Sequence, residues 1–216
     1  YHQSNGTSAT AIKLAKKSLA LWQWMKTHPQ ETKLHFDFGN AFELALLDQI
    51  AFEKDVAITQ SKVWADKANA ARMEKEGKIY VKPASSTIYQ AEESKFLADN
   101  EGKYIIPDTG KQSFEYIEYM LESCKKDSVI QKLISGTEYQ LSLYWQHDET
   151  GLLLKTRPDI CKRKKNVIVN LKTTTDGSPK QFSRDLAAYD YPLQAAVEIM
   201  GCLRTGLMPT VDNYFW

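Results

Sequence analysis

Two short strings in the second half of the chain carry residue types suited to chemistry. Lys155-Thr156-Arg157-Pro158-Asp159 is followed, after ten residues, by Asn170-Leu171-Lys172-Thr173-Thr174. Both lie in stretches rich in β-branched, aromatic and leucine residues, which predicts strands. Strand side chains alternate between faces, so Ile168, Asn170 and Lys172 share one face and Val167, Val169 and Leu171 the other. A tight turn at residues 162–166 would set Asp159 beside Asn170. A carboxylate, an amide oxygen and an ammonium then converge at one edge of a sheet. Such oxygen ligands suit a hard divalent cation, which stabilises charge on phosphorus and lowers the pKa of a bound water. A lysine alongside orients that water or neutralises the intermediate. The chemistry is metal-assisted phosphodiester hydrolysis.

The elements that must position these groups are legible in outline. Ser8 caps a helix over residues 9–26, which His28–Pro29 ends because the residue before proline is pushed out of the α region. Gly39 is expected to open a second, largely apolar helix over residues 40–49. Val56-Ala57-Ile58 reads as a short strand, and the region from Ile50 to Pro107 otherwise as mixed helices and surface loops. Two helices follow, at residues 111–124 and 128–134. From Gly136 the character changes to three strand-like runs, 139–146, 152–160 and 167–173, joined by short turns as in an antiparallel meander. Pro179 starts a helical stretch, and residues 193–203 form a helix followed by Gly206. Tyr214-Phe215-Trp216 reads as the opening of a further strand, so the chain is expected to continue past residue 216 as one domain, 1–216 and beyond.

Composition excludes several classes. With 216 residues, 43% hydrophobic and 25% charged, the chain is an ordinary globular sequence rather than a disordered one. No apolar run approaches the roughly 20 residues of a membrane span. Cys124, Cys161 and Cys202 are odd in number and widely spaced, which argues against a disulfide scaffold and for a reducing, cytoplasmic setting. No histidine pair has metal-ligand spacing, and no phosphate-loop motif of an ATP-driven motor occurs. The net charge of +1, from 28 Lys+Arg against 27 Asp+Glu, neither requires nor forbids nucleic acid.

Taken in order, these strings resemble the PD-(D/E)XK nuclease superfamily, and within it the RecE-like phage and prophage exonucleases (exodeoxyribonuclease VIII type) related to lambda exonuclease. Tyr1-His2 and Ser8-Ala9-Thr10 are similar to that family's entry into its first helix. Gly39 to Leu47 is similar to its glycine-led helix, with Glu43 four residues after the glycine. Asn170-Leu171-Lys172 falls where the family has Asp/Glu-x-Lys. Tyr189, Tyr191 and Gln194-Ala195-Ala196 match its tyrosine-glutamine helix. The resemblance implies an α/β, restriction-endonuclease-like core with a central mixed sheet flanked by helices. It further implies Mg²⁺, with Mn²⁺ able to substitute, held by Glu43, Asp159 and residue 170. Lys172 would serve the water and intermediate, and Gln194 would position them. The implied activity is exonucleolytic digestion of the 5′-ended strand of double-stranded DNA, leaving a 3′ overhang for a single-strand annealing protein. A ring-like homo-oligomer in the cytoplasm of a bacterial host, with no membrane partner, completes that expectation.

Three departures bear on activity. Asn170 is neutral where the pattern has a carboxylate, Gln140 stands where an acid is expected, with Glu138 as a candidate substitute, and Glu198 replaces a tyrosine four residues after Gln194. Asn170 is either a near-isosteric Asp→Asn change or the native residue of a weakened or inactive nuclease. The alternative functions are therefore a nuclease-dead DNA-binding or scaffold protein, or a structure-specific repair endonuclease. Lys155, Arg157 and the turn residues Lys162, Arg163 and Lys164 are candidate phosphate contacts, sequence-independent and salt-sensitive. Tyr189 and Tyr191 are candidates for stacking on a base. Each also has a plain structural reading: a buried hydrogen-bonded Glu43, a turn-forming Asp159, a snorkelling Lys172, a capping Gln194, core tyrosines and a solvated basic turn.

Overall fold

The computed structural model describes residues 4–28, 34–80 and 82–216; Tyr1, His2 and Pro29 lie outside them. The elements run α1 (Ala9–Lys17), α2 (Leu19–Thr27), α3 (Leu34–Leu47), α4 (Gln49–Asp55), β1 (Val56–Ile58), α5 (Ser61–Glu76), α6 (Thr87–Asp99), β2 (Tyr104–Ile106), α7 (Phe114–Lys126) and α8 (Ser128–Ile134). After these come β3 (Glu138–Tyr139), β4 (Leu143–Gln146), β5 (Leu153–Thr156), β6 (Ile160–Lys162), β7 (Val167–Val169), α9 (Pro179–Ala188), α10 (Tyr191–Arg204) and β8 (Asn213–Phe215). The chain divides into two compact units, one of Tyr1–Glu31 with Lys132–Trp216 and the other Thr32–Gln131. No helix among the described residues is long and apolar enough to cross a membrane.

The single first helix expected over residues 9–26 is two. Ser18 has extended backbone (φ −165°, ψ 123°), closes α1, and turns its hydroxyl to accept from the Leu21 N–H, thereby capping α2. Gly39 does not open its helix: α3 begins at Leu34 and passes through it. In this second unit Phe38, Ala41, Phe42 and Leu44 of α3 pack with Phe52, Val56, Ile106 and Ile117 into one apolar core. Its two short strands, β1 and β2, pair in parallel. Besides the Val56–Ile58 strand, the stretch expected as mixed helices and loops holds a second strand, β2.

The meander is also divided, and the division builds the site. In the first unit β3, β6, β7 and β8 form a four-stranded mixed sheet in that order, while β4 and β5 make a separate antiparallel hairpin. Gln140, at φ 47°, turns the chain out of the sheet between β3 and β4. Pro158 lacks a donor N–H and separates β5 from β6. Val167, Ile168 and Val169 are buried on both faces, so β7 reads as a continuous apolar run. It pairs antiparallel with β6 and parallel with β8. Two apolar clusters hold α10 to this unit: Leu143, Cys161, Ile168, Cys202 and Met208 form one, and Ala9, Trp145, Leu154 and Val197 the other. The three cysteines are unbridged.

Gly201 allows the close approach of α10 to the β4–β5 hairpin. A Cβ there would stand 2.7 Å from Thr156 Cγ2 and 2.9 Å from Trp145 Cζ3. Both neighbours are buried, and neither can swing aside. Overpacking of this kind costs about 1–3 kcal/mol, against a helix-propensity gain of roughly 1 kcal/mol for replacing glycine. Gly201→Ala is therefore expected to lower the melting temperature, and a thermal melt followed by circular dichroism checks it.

Candidate catalytic site

Asp159 and Asn170 meet as the strand alternation requires. Ile160 pairs with Val169 and Cys161 with Ile168, so one further step of this antiparallel register sets Asp159 opposite Asn170, on the same face. Asp159 Oδ2 accepts from the Leu171 N–H at 2.6 Å. The Asn170 N–H donates to the Phe215 carbonyl at 2.9 Å, which fixes the strand from its other side.

The Asn170 side chain is fully buried and uses every valence of its amide. Its Oδ1 accepts from Lys172 Nζ at 2.6 Å and from Gln194 Nε2 at 3.2 Å. Its Nδ2 donates to Glu198 Oε2 at 2.5 Å and to the Tyr214 hydroxyl at 2.8 Å. Gln194 and Glu198 lie one turn apart on α10, and Gln194 Nε2 also donates to Glu198 Oε1 at 2.9 Å. The Tyr214 hydroxyl, brought in by β8, donates to Glu198 Oε2 at 2.7 Å. Glu198 is only 2% exposed. Burial pushes its carboxyl up from the ordinary range, while Tyr214, Gln194, Lys172 and Asn170 pull it down. All three hydrogen bonds, two at Oε2 and one at Oε1, are ones that a carboxylate accepts. Burial and the adjoining carboxylate push the Tyr214 hydroxyl up, which keeps it a donor.

Basic and aromatic groups adjoin this network. Tyr191, the first residue of α10, is half-buried, and the ammonium groups of Lys172 and Lys13 each stand 5.4 Å from its ring centroid. Tyr189 is exposed and stacks on Tyr191, with centroids 5.7 Å apart and planes 27° apart. Burial and then the like charge of Lys172 lower the Lys13 ammonium below its usual range.

The other expected contacts are scattered. Lys155 is buried, with its ammonium donating to the Ser4 carbonyl at 2.6 Å, so it is not offered to a phosphate. Arg157 is half-buried between β5 and β6. The turn Arg163–Lys165 is at the closed end of the β6–β7 hairpin, whereas Asp159 and Asn170 are at the open end. Three strand residues separate the ends, about 10 Å at the rise of an extended chain. The basic turn and the Asp159–Asn170 pair therefore stand at opposite ends of the same hairpin. Arg163 pairs with Glu138, and Lys162 donates to the Lys132 carbonyl. That pairing also takes Glu138 out of contention as a substitute acid at the site. These basic residues line a groove of about 670 Å³ of their own. Glu43 is a half-buried residue of α3 in the second unit.

Three members of the site escaped the sequence. Glu198 registered only as a departure, although its spacing of four from Gln194 placed both on one face of a helix. Tyr214 reaches the site through parallel pairing with β7, a long-range relation with no local signal. Lys13 depends on the packing of α1 near α10, which the helical pattern of α1 alone does not reveal.

Whether a divalent cation fits can be tested at Asn170. Both lone pairs of its carbonyl oxygen are filled, one of them by an ammonium, and its N–H bonds point at a carboxylate and a hydroxyl. Turning the amide over would set its oxygen against Glu198 and its NH₂ against Lys172. Among the described residues no three His, Cys, Asp or Glu side chains gather into a cation site. Asn170 as it stands does not fit a metal ligand, so no chemical step runs through one at this residue.

A search of the curated proteins returned no match to this chain. Residues 19–202 match the family described as a PDDEXK-like domain of unknown function (DUF3799), a span that contains Asp159, Asn170, Lys172, Gln194 and Glu198. With most of its length in that match, the chain belongs to this PDDEXK-like family, and so to the nuclease-type fold of the PD-(D/E)XK superfamily.

Proposed function

We propose that the domain engages the ends of double-stranded DNA as a member of an exonuclease lineage, with hydrolysis much weakened in this chain. The observation that carries the reading is the convergence of Asp159, Asn170, Lys172 and Gln194 at the open end of the two inner strands of a mixed sheet. Lys172 and Lys13 supply cations for a phosphate, and Tyr189 and Tyr191 supply faces for a base. The RecE-like resemblance adds the finer terms: digestion of the 5′-ended strand, a 3′ overhang passed to a single-strand annealing protein, and a ring-like homo-oligomer. The Mg²⁺ or Mn²⁺ of that lineage belongs to a site whose residue 170 is acidic.

A second reading, a DNA-binding or scaffold protein without nuclease activity, is favoured by the saturated amide of Asn170. The two readings share their first step, binding of the phosphate backbone, and differ in whether the machinery can still cut.

Fluorescence anisotropy with a short linear duplex, across a salt series, tests the shared step. Affinity is expected to fall linearly on a log–log plot, with a slope of about −0.9 per phosphate neutralised. An open-ended duplex is expected to bind tighter than the same duplex closed by hairpins at both ends. Absence of binding at low salt would remove both readings. Lys13→Met is expected to weaken binding and reduce the salt slope by about one, whereas Lys164→Met leaves the end preference unchanged.

A further inference from the structure

The two positions at which the site departs from its expected pattern, 170 and 198, are in direct contact. Asn170 Nδ2 and Glu198 Oε2 are 2.5 Å apart, one residue past β7 and on α10, 28 residues distant in sequence. We propose that Asn170 and Glu198 are an exchanged pair: the negative charge that the pattern places at 170 resides on Glu198, which positions the Asn170 amide so that its oxygen holds the Lys172 ammonium where a divalent cation would otherwise bind.

The geometry supports each part. Glu198 accepts from Asn170 Nδ2, Tyr214 and Gln194 Nε2, so the three donors hold its carboxylate in one place. That placement leaves Asn170 a single workable orientation, with Oδ1 toward Lys172 and Gln194. The formal charge of residues 170, 172 and 198 together is zero. An aspartate at 170 with a neutral residue at 198 would give the same sum, with the negative charge one contact nearer Lys172. Asn170→Asp by itself does something else: it presses a second carboxylate against Glu198 across a former hydrogen bond, in a site largely closed to water. Asn170 thus belongs to the network around it, and restoring a carboxylate at 170 requires removing the one at 198.

This inference rests on the nuclease-type reading only for what the restored site would bind, so its test uses no DNA. The wild-type chain, N170D, E198Q and N170D/E198Q are melted in EDTA and titrated with Mn²⁺ by electron paramagnetic resonance. N170D is expected to melt below the wild type, and N170D/E198Q to recover most of that loss, a non-additivity that contacting residues show and independent ones do not. Mn²⁺ affinity of the double variant is expected to exceed that of the wild type by about 10–100-fold. If N170D does not fold, recovery of folding in the double variant supports the exchanged pair equally. The inference is overturned if N170D melts like the wild type, if the E198Q loss simply adds to that of N170D, if both variants fail to fold, or if the double variant binds Mn²⁺ no tighter than the wild type. A failure of DNA binding with this pattern intact would remove the functional reading and leave the exchanged pair standing.

Discussion

Glu198→Leu is expected to lower stability by about 3 kcal/mol. Leucine fills the volume but accepts nothing. The Tyr214 hydroxyl, one Asn170 N–H and one Gln194 N–H then lose their acceptor in a place where water does not replace it. Each orphaned donor costs about 1–3 kcal/mol, partly offset by the apolar area that leucine buries. For a chain of this length the shift corresponds to roughly 6–12 °C in melting temperature. Glu198→Gln, which keeps the shape and one acceptor, is expected to cost less than half as much. Thermal melts of the two variants check both the size and the order. A leucine variant as stable as the wild type would mean that the donors find other partners.

Lys172→Met is expected to have the largest effect on chemistry. In the N170D/E198Q background, where the carboxylate stands at 170, loss of the ammonium is expected to slow DNA digestion by about 10²–10³-fold, as for other groups that stabilise developing charge. In the wild-type chain the same change acts on stability. Lys172 is among the influences that hold the Glu198 carboxyl down against burial, so its removal lets that pKa rise further. An acid whose folded-state pKa lies above its unfolded value binds more protons when folded. Stability then falls as pH rises from the ordinary glutamate value of 4.5 through the raised folded value. Lys172→Met is therefore expected to steepen that decline, which urea melts at a series of pH values will show.

What the sequence disclosed follows the range of the interactions involved. The pairing of Asp159 with Asn170 was legible because strand alternation and one short turn determine it. Gln194 came into view only through the family resemblance of its helix, and it donates to the Asn170 side chain. The break at Ser18 was not, because a serine within helix-forming neighbours is compatible with both one helix and two. The division of the meander falls at Pro158, inside the run expected as one strand over 152–160, and at Gln140, whose positive φ its residue type does not cue. The basic turn illustrates a different limit. Its composition was read correctly, but antiparallel register sends it to the far end of the hairpin from the site. Glu198 shows the most instructive gap, since two positions noted as separate departures are hydrogen-bonded to each other.

On the proposed function, the frame of an end-directed nuclease site persists here with its carboxylate at 198 in place of 170. The most direct measurement is release of label from an end-labelled linear duplex, against a covalently closed circle, by N170D/E198Q and the wild type with Mn²⁺. The double variant is expected to digest the linear duplex at least about 10²-fold faster than the wild type does, and to leave the circle intact. Cutting of the circle at a comparable rate, or no digestion of either DNA by the double variant, would contradict the claim.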